Sequence, residues 1–392
     1  MTTLKTKVLG IDFENPFILA SAPPTAKIAS IDKAFSLGWG GAVLKTITPD
    51  NLEMIEASER YAAWKFGNKV CGFENIELLS HLTVQEWLDG IRLLRQKHPT
   101  KVQIASIMAP VVKEEWQKLV KIFNDSEIDA FELNFSCPHG MPEKGIGMAI
   151  GTHPELSAMI TAWVVEVAQK PVFVKLSPNV TNIVEIAQAV EKAGANGISA
   201  INTVQSLMGV DLDTFEPLPK VNGKTTFGGY SDISVKPIGL RCVAQIRQNS
   251  DLPILGIGGI SNWKDAAEYM TVGADVVQVC TEVMVNGYGI ISAMKKGFLD
   301  YLIDKGFNSP ADLKNRAIKN ISEHRTLDKQ KQVYPQIDDA LCVKCGKCVM
   351  VCSESEHSAL SIVDGKVFVD KDSCVGCSLC SHVCVQSAIK MK

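Results

Sequence analysis

Eight cysteines late in the chain repeat one spacing, Cys342-x2-Cys345-x2-Cys348-x3-Cys352 and Cys374-x2-Cys377-x2-Cys380-x3-Cys384. A cubane iron–sulfur cluster needs four thiolates around a compact core. Three fit on one tight loop with small or flexible residues between them, here Gly346 and Gly376, and the fourth comes from a helix that reaches the other loop. The spacing therefore assigns Cys342, Cys345, Cys348 and Cys384 to one [4Fe–4S] cluster, and Cys374, Cys377, Cys380 and Cys352 to a second. Two structural zinc sites are the competing reading, because paired CxxC also binds zinc. A third cysteine at CxxCxxC and a fourth three residues on fit zinc poorly. The residue after each fourth cysteine is Ser353 or Val385 where proline is usual. Proline is not a ligand, so this bears on rigidity and potential, not on cluster identity.

A second set of chemically capable residues follows short apolar runs: Ser21, Lys45-Thr46, Asn134-Phe135-Ser136-Cys137, Lys175-Leu176-Ser177, Asn202-Thr203, Gly258-Gly259 and Cys280-Thr281. Two lysines and two asparagines at strand tips are unusual, since unpaired buried charge is costly. An anionic, hydrogen-bonding ligand would account for them. Gly256-Ile257-Gly258-Gly259 runs into a helix whose N-cap is Ser261 or Asn262, so free N–H groups and the helix dipole can face a phosphate. A tight turn alone is the other reading. No nicotinamide fingerprint is present: Gly256-x-Gly258 meets Ser261 where glycine is needed, and Gly151 lies one residue too far from Gly145-x-Gly147.

The elements that must position these residues alternate. Candidate strands are Phe17–Ser21, Gly41–Lys45, Val102–Met108, Ala130–Ser136, Pro171–Ser177, Gly197–Asn202, Pro253–Gly259 and Val276–Thr281. Most are continuous apolar runs, the pattern of parallel strands buried on both faces. Between two of them Asn182 stands as an N-cap with Glu185 three residues on, Ile183, Ile186, Ala187 and Val190 form one face, and Gly194 closes the helix. Eight such units match a closed (β/α)8 barrel, an α/β fold whose sites lie at the C-terminal strand ends. Lys7–Phe13 reads as a small hairpin capping the barrel bottom. The barrel spans 1–320, a polar linker 321–336, and the cysteine-rich unit 337–392.

Composition sets the class. Of 392 residues, 46% are hydrophobic and 21% charged, which excludes disordered and fibrous chains. A net charge of −3 gives no footprint for nucleic acid or an anionic membrane. No apolar run approaches a membrane span, and the opening MTTLKTKVLGIDFENP lacks a secretory signal, so a cytoplasmic address is expected. There thiols stay reduced, which favours cluster ligation over disulfides. Of the remaining four cysteines, Cys71 and Cys242 read as small buried hydrophobes. Cys280 reads as a backbone contributor.

In order, NFSCPHGMPEKGIG, VKLSPNVT, INTVQSLMG, TTFGGYSDISVKPIGLR and ILGIGG resemble the dihydroorotate dehydrogenase superfamily, most of all the pyrimidine-reducing half of the dihydropyrimidine dehydrogenases. The resemblance covers essentially the whole chain, including a C-terminal α+β, ferredoxin-like domain with two clusters. It implies FMN over the barrel mouth. Gly229, Gly258, Gly259 and the Cys280-Thr281 backbone would hold the phosphate, and Ala20, Ser21, Lys45, Thr46, Asn134, Lys175 and Asn202 would contact the ring system. Lys175 would favour the reduced form by sitting near the edge where negative charge collects. Asn75, Asn134, Ser136, Asn202 and Thr203 would pair with a pyrimidine base, hydride would pass from flavin N5 to C6, and Cys137 would protonate C5. Cys137 lies in a glycine-rich stretch, 136–151, suited to a closing lid; His139 beside it reads as a lid surface residue.

Uracil or thymine and orotate differ by one carboxylate. Glu77, in Phe73-Glu74-Asn75-Ile76-Glu77-Leu78, would face the position of orotate's carboxylate. Like charges about 4 Å apart cost on the order of 4 kcal/mol at an effective dielectric near 20, roughly a thousandfold. The alternative is that Glu77 turns away from the site. The resemblance implies the catalytic subunit of an NAD(P)-linked dihydropyrimidine dehydrogenase. Electrons would come from a partner FAD/NAD(P)-binding flavoprotein, in a dimer of heterodimers, with NAD(P)H bound only by that partner. The alternative activities are a dihydroorotate dehydrogenase with an iron–sulfur relay and an electron-transfer module without catalysis.

Overall fold

The computed structural model describes residues 1–52, 55–135 and 148–392, the side chains of 148 and 149 excepted. It divides into two compact units, Met1–Asn320 and Ile321–Lys392.

The first unit opens with an antiparallel hairpin, β1 (Thr6–Val8) and β2 (Ile11–Phe13), then β3 (Phe17–Leu19) and β4 (Gly41–Val43). A second hairpin, β5 (Tyr61–Phe66) and β6 (Lys69–Asn75), precedes β7 (Val102–Ile107), β8 (Ala130–Asn134), β9 (Val172–Leu176) and β10 (Gly197–Ala200). Then come β11 (Val204–Ser206), β12 (Gly228–Ser231), β13 (Ile254–Ile257) and β14 (Val276–Val279). All eight expected strands are present. β3, β4, β7, β8, β9, β10, β13 and β14 form a closed parallel barrel, shut where Val277 pairs with Phe17. Every residue of β7, β8 and β9 is buried, which explains the absence of alternation in their sequences.

Helices follow their sequence signals. Asn182 caps Ile183–Lys192 by accepting from the Val184 amide, and Thr83 with Glu86 forms a reciprocal capping box at Val84–Lys97. The helix Ile28–Leu37 ends at Gly38, whose φ of 107° a side chain would strain. The first hairpin does plug the barrel bottom, where Val8 and Phe13 pack on Ile18, Val43, Ile104 and Phe173. A larger core between strands and helices includes Trp39, Trp87, Trp116 and Phe298, all with no exposed surface.

The sequence reading omitted one element. β5, β6, β11 and β12 form an antiparallel sheet, with Asn75 opposite both Tyr61 and Gly229. Cys71, expected in a core, is only half-buried on β6, because a hairpin strand has one open face; Cys242 is fully buried as expected.

In the second unit β15 (Pro335–Ile337) pairs with β18 (Ile389–Met391), and β16 (Leu360–Val363) pairs with β17 (Lys366–Val369). Short helices Lys347–Glu354 and Leu379–His382 each carry the third cysteine of one repeat. Pro335 and Gln336, read as linker, therefore belong to the sheet; Tyr334 exchanges both backbone hydrogen bonds with Lys392.

Candidate functional site

The C-terminal strand ends and the antiparallel sheet bound a cavity of about 1110 Å3, open mouth included. Its size and mixed lining suit a cofactor together with a small ligand. Ala20, Ser21, Lys45, Thr46, Asn75, Glu77, Asn134, Lys175, Asn202, Thr203, Gly258, Gly259, Cys280 and Thr281 all line it. Gly229 does not. It lies in β12, where a Cβ would come within 2.4 Å of Thr203 Oγ1 and its carbonyl accepts from Asn75 Nδ2, so it braces the wall. Ser136, Cys137 and His139 lie outside the described residues.

The two lysines are not the unpaired charges the sequence suggested. Lys45 Nζ stands 3.3 Å from Glu77 Oε2, and Lys175 Nζ stands 3.7 Å from Glu132 Oε1. Glu132 is fully buried inside the barrel, where Ser199 Oγ and Gln278 Nε2 each donate to its Oε2 at 2.7 Å. An anionic ligand is therefore not needed to balance them. Glu77 does point to the cavity, so it is not turned away. Its neighbour Lys45 cancels much of its field, and the thousandfold penalty expected for orotate from an isolated carboxylate does not stand.

The asparagines are fixed in orientation by the main chain. The Thr203 N–H donates to Asn202 Oδ1 at 2.8 Å, so Asn202 Nδ2 must be the atom donating to Asn134 Oδ1. Asn134 Nδ2 then donates to Thr46 Oγ1 at 3.0 Å. That hydroxyl lies 2.9 Å from Ser106 Oγ and 3.1 Å from Ser21 Oγ. Asn75 is set the same way, donating to the Gly229 carbonyl and accepting from the Glu77 N–H. Three amides with known donor and acceptor ends thus surround one space, an arrangement suited to a neutral ring bearing carbonyl and N–H groups.

At the other end of the cavity the wall is bare backbone. Gly258 and Gly259 have φ of 122° and 67°, and a Cβ on Gly259 would meet Lys236 N at 2.7 Å. Such a cradle fits the phosphate of the expected flavin. The helix N-terminus does not contribute as expected. Asn262 caps it by accepting from the Lys264 and Asp265 amides, and Asp265 accepts in turn from Ser261 and Asn262. Those amides are already committed within the chain. Burial pushes the Cys280 thiol up to about 11, against the pull of Lys175 and Lys45, so it stays protonated near neutrality and is no nucleophile.

In the second unit, a space of about 400 Å3 is lined by Cys342, Cys345, Cys348 and Cys384. A space of about 370 Å3 is lined by Cys352, Cys374, Cys377 and Cys380. Each foursome takes three cysteines from one repeat and the last from the other, as the spacing implied. Among the described residues no three His, Cys, Asp or Glu side chains converge on a single-ion site. Left-handed backbone flanks the second cysteine of each repeat, at Lys344 and Gly346 and again at Gly376 and Ser378. The Ala388 N–H donates to Cys384 Sγ at 3.3 Å.

Sequence reasoning missed Tyr61, Phe73, Tyr230 and Gln278, which also line the cavity. The first two had a signal: Gly67-Asn68 between two strand-forming runs is a two-residue hairpin turn.

Comparison with known proteins agrees with this architecture. The model of the dihydroorotate dehydrogenase family matches residues 3–302, and a 4Fe-4S dicluster domain matches residues 335–391. The NAD-dependent dihydropyrimidine dehydrogenase subunit PreA of Escherichia coli K12 is 38% identical over 394 residues, covering 97% of this chain and 93% of that protein. The chloroplastic dihydropyrimidine dehydrogenase (NADP+) of Arabidopsis thaliana is 36% identical, covering 85% and 81%. The catalytic subunit of dihydroorotate dehydrogenase B (NAD+) of Pyrococcus abyssi is 35% identical, covering 81% and 99%. No described helix is long and apolar enough to cross a membrane.

Proposed function

The chain belongs to the dihydroorotate dehydrogenase family, and from that premise we propose that it is the catalytic subunit of a cytoplasmic dihydropyrimidine dehydrogenase, interconverting uracil or thymine with the 5,6-dihydro forms. The observation that carries this reading is the pairing of both cavity lysines with carboxylates beside three orientation-fixed amides. Such a site offers donors and acceptors to a neutral imide but no uncommitted cation to a carboxylate, among the described residues.

FMN, when bound, supplies the hydride that reduces C6, and two [4Fe–4S] clusters supply a one-electron relay from a partner FAD/NAD(P)-binding flavoprotein. Gly258, Gly259 and the Cys280-Thr281 backbone hold the phosphate. Ala20, Ser21, Lys45, Thr46 and Lys175 hold the ring system. Asn75, Glu77, Asn134, Ser136, Asn202 and Thr203 orient the base, and the Cys137 thiol gives its proton to C5 and regains one from solvent. Cys342, Cys345, Cys348 and Cys384 bind one cluster; Cys374, Cys377, Cys380 and Cys352 bind the other. The assembly is a dimer of heterodimers.

A dihydroorotate dehydrogenase with the same relay is the second reading, favoured by one observation: Lys45 screens the carboxylate that would otherwise repel orotate. An anaerobic experiment separates the two. The holoenzyme is reduced with dithionite and flavin absorbance is followed after adding uracil, thymine or orotate in separate cuvettes. Reoxidation by uracil or thymine alone is expected. Reoxidation by orotate would replace the proposal with the biosynthetic reading, and silence with all three would overturn both.

A further inference from the structure

Glu132 has no exposed surface and does not line the cavity, yet three other strands of the barrel converge on it. Asn134 lies opposite Lys175 in the β8–β9 register, so Glu132, two residues earlier, sits on the same face one layer nearer the barrel bottom. Ser199 from β10 and Gln278 from β14 each donate to its Oε2 at 2.7 Å. Its Oε1 stands 3.7 Å from Lys175 Nζ, within ion-pair range but beyond a hydrogen bond. Among the described residues Glu132 Oε1 has no hydrogen-bond partner, so the pair balances charge without using a Lys175 N–H. Lys45 differs. Its counter-ion, Glu77, stands in the cavity wall, where a ligand can touch it. The counter-ion of Lys175 stands beneath the wall, where only the field of its charge reaches a ligand. Stability does not account for this carboxylate, because apolar side chains in place of both members of a buried ion pair are often as stable or more so.

We propose that Glu132 sets the electron affinity of the site: its buried charge offsets that of Lys175 and limits how strongly the cavity favours reduced flavin, an inference that rests on the flavin site proposed above. A cation beside the flavin stabilises the negative charge gained on reduction. A carboxylate 3.7 Å from that cation weakens the pull, and the barrel interior screens the carboxylate far less than water would. A site balanced in this way takes electrons from a relay and still gives hydride away.

The test is the ratio of dissociation constants of oxidised and reduced FMN, measured on the full-length protein with its clusters in place and FMN alone removed. Glu132→Gln keeps the size of the side chain and removes its charge. It should favour reduced over oxidised FMN by about tenfold more than the wild type does, a rise of about 30 mV in the two-electron midpoint potential. Lys175→Met removes the opposing charge and should move the ratio the other way. The double variant, with neither charge, should return to within about threefold of the wild type. An unmoved or lowered potential in Glu132→Gln would overturn the proposal, since damage to packing alone weakens both oxidation states of FMN alike. If either single variant fails to fold around its unpaired charge, the double variant still decides: a ratio within threefold supports offsetting charges, and one outside it overturns them. The wild-type control keeps the two readings apart. Wild-type protein that binds FMN, with an unchanged ratio in Glu132→Gln, defeats this inference alone, whereas wild-type protein that binds no FMN defeats the flavin site on which it rests.

Discussion

The two units solve the problem of a core in opposite ways. In the barrel, strands such as Val102–Ile107 and Val172–Leu176 are buried end to end, and four tryptophan and phenylalanine side chains with no exposed surface anchor the outer layer. Its polar site is built on top of a core that is already complete. In the second unit the buried cluster is Cys348, Leu360, Cys380 and Ile389, and half of those side chains are proposed ligands. Nearby apolar residues such as Val343, Val375 and Val385 stay exposed. A unit of this size buries too little apolar surface to fold comfortably without a staple. The barrel is thus expected to fold without its ligands, and the small unit to need its clusters in order to fold.

Removing iron tests this difference most severely. Anaerobic chelation should leave residues 1–320 protected from limited proteolysis while 321–392 is cleaved, and protection of both would erase the contrast. Next in size, Cys384→Ala should empty the cluster bound mainly by the first repeat, not the second. Iron analysis with low-temperature EPR should show about half the iron retained, and reduction through the partner should cease although dithionite still reduces the flavin. Within the barrel, Lys175→Ala strips the fully buried Glu132 of its counter-charge, which costs on the order of 3 kcal/mol. A drop of several degrees in melting temperature with loss of flavin is expected. Gly259→Ala acts more locally, adding about 1–2 kcal/mol of strain at φ 67° and a contact at 2.7 Å with Lys236 N; weakened flavin retention with a melting temperature lowered by only a few degrees is the signature. Smallest of all, Leu212→Ser, on a side chain 80% exposed, should alter stability by no more than about 0.5 kcal/mol.

The barrel was legible because burial on both faces removes alternation from a strand's sequence, leaving runs such as VFVKL with a functional residue at the tip. The grouping of the eight cysteines into two foursomes was legible because cysteine spacing is itself geometry. The antiparallel sheet over the mouth was not read, since Val204–Ser206 and Gly228–Ser231 are too short and too polar to announce strands, although Gly67-Asn68 did mark the hairpin. Charge pairing was illegible for a different reason. Lys175 meets Glu132 between the neighbouring strands β9 and β8, and Lys45, just past β4, meets Glu77, just past β6, so both pairs join residues more than thirty positions apart and no local pattern relates them. The helix after Gly259 carried a sound phosphate signal, but Asp265, four residues past Ser261, turns that end into a closed cap. Of the proposed acid Cys137, only its place in the sequence bears on its role.

The amide relay from the Thr203 N–H through Asn202 and Asn134 to Thr46 has a direction. Reversing either amide alone would set donor against donor, so the two can only turn together, and doing so breaks a bond to the peptide backbone. The order of hydrogen-bond donors and acceptors that a ligand meets is thus a parity inherited from the main chain, which point substitution of a neighbouring side chain leaves in place.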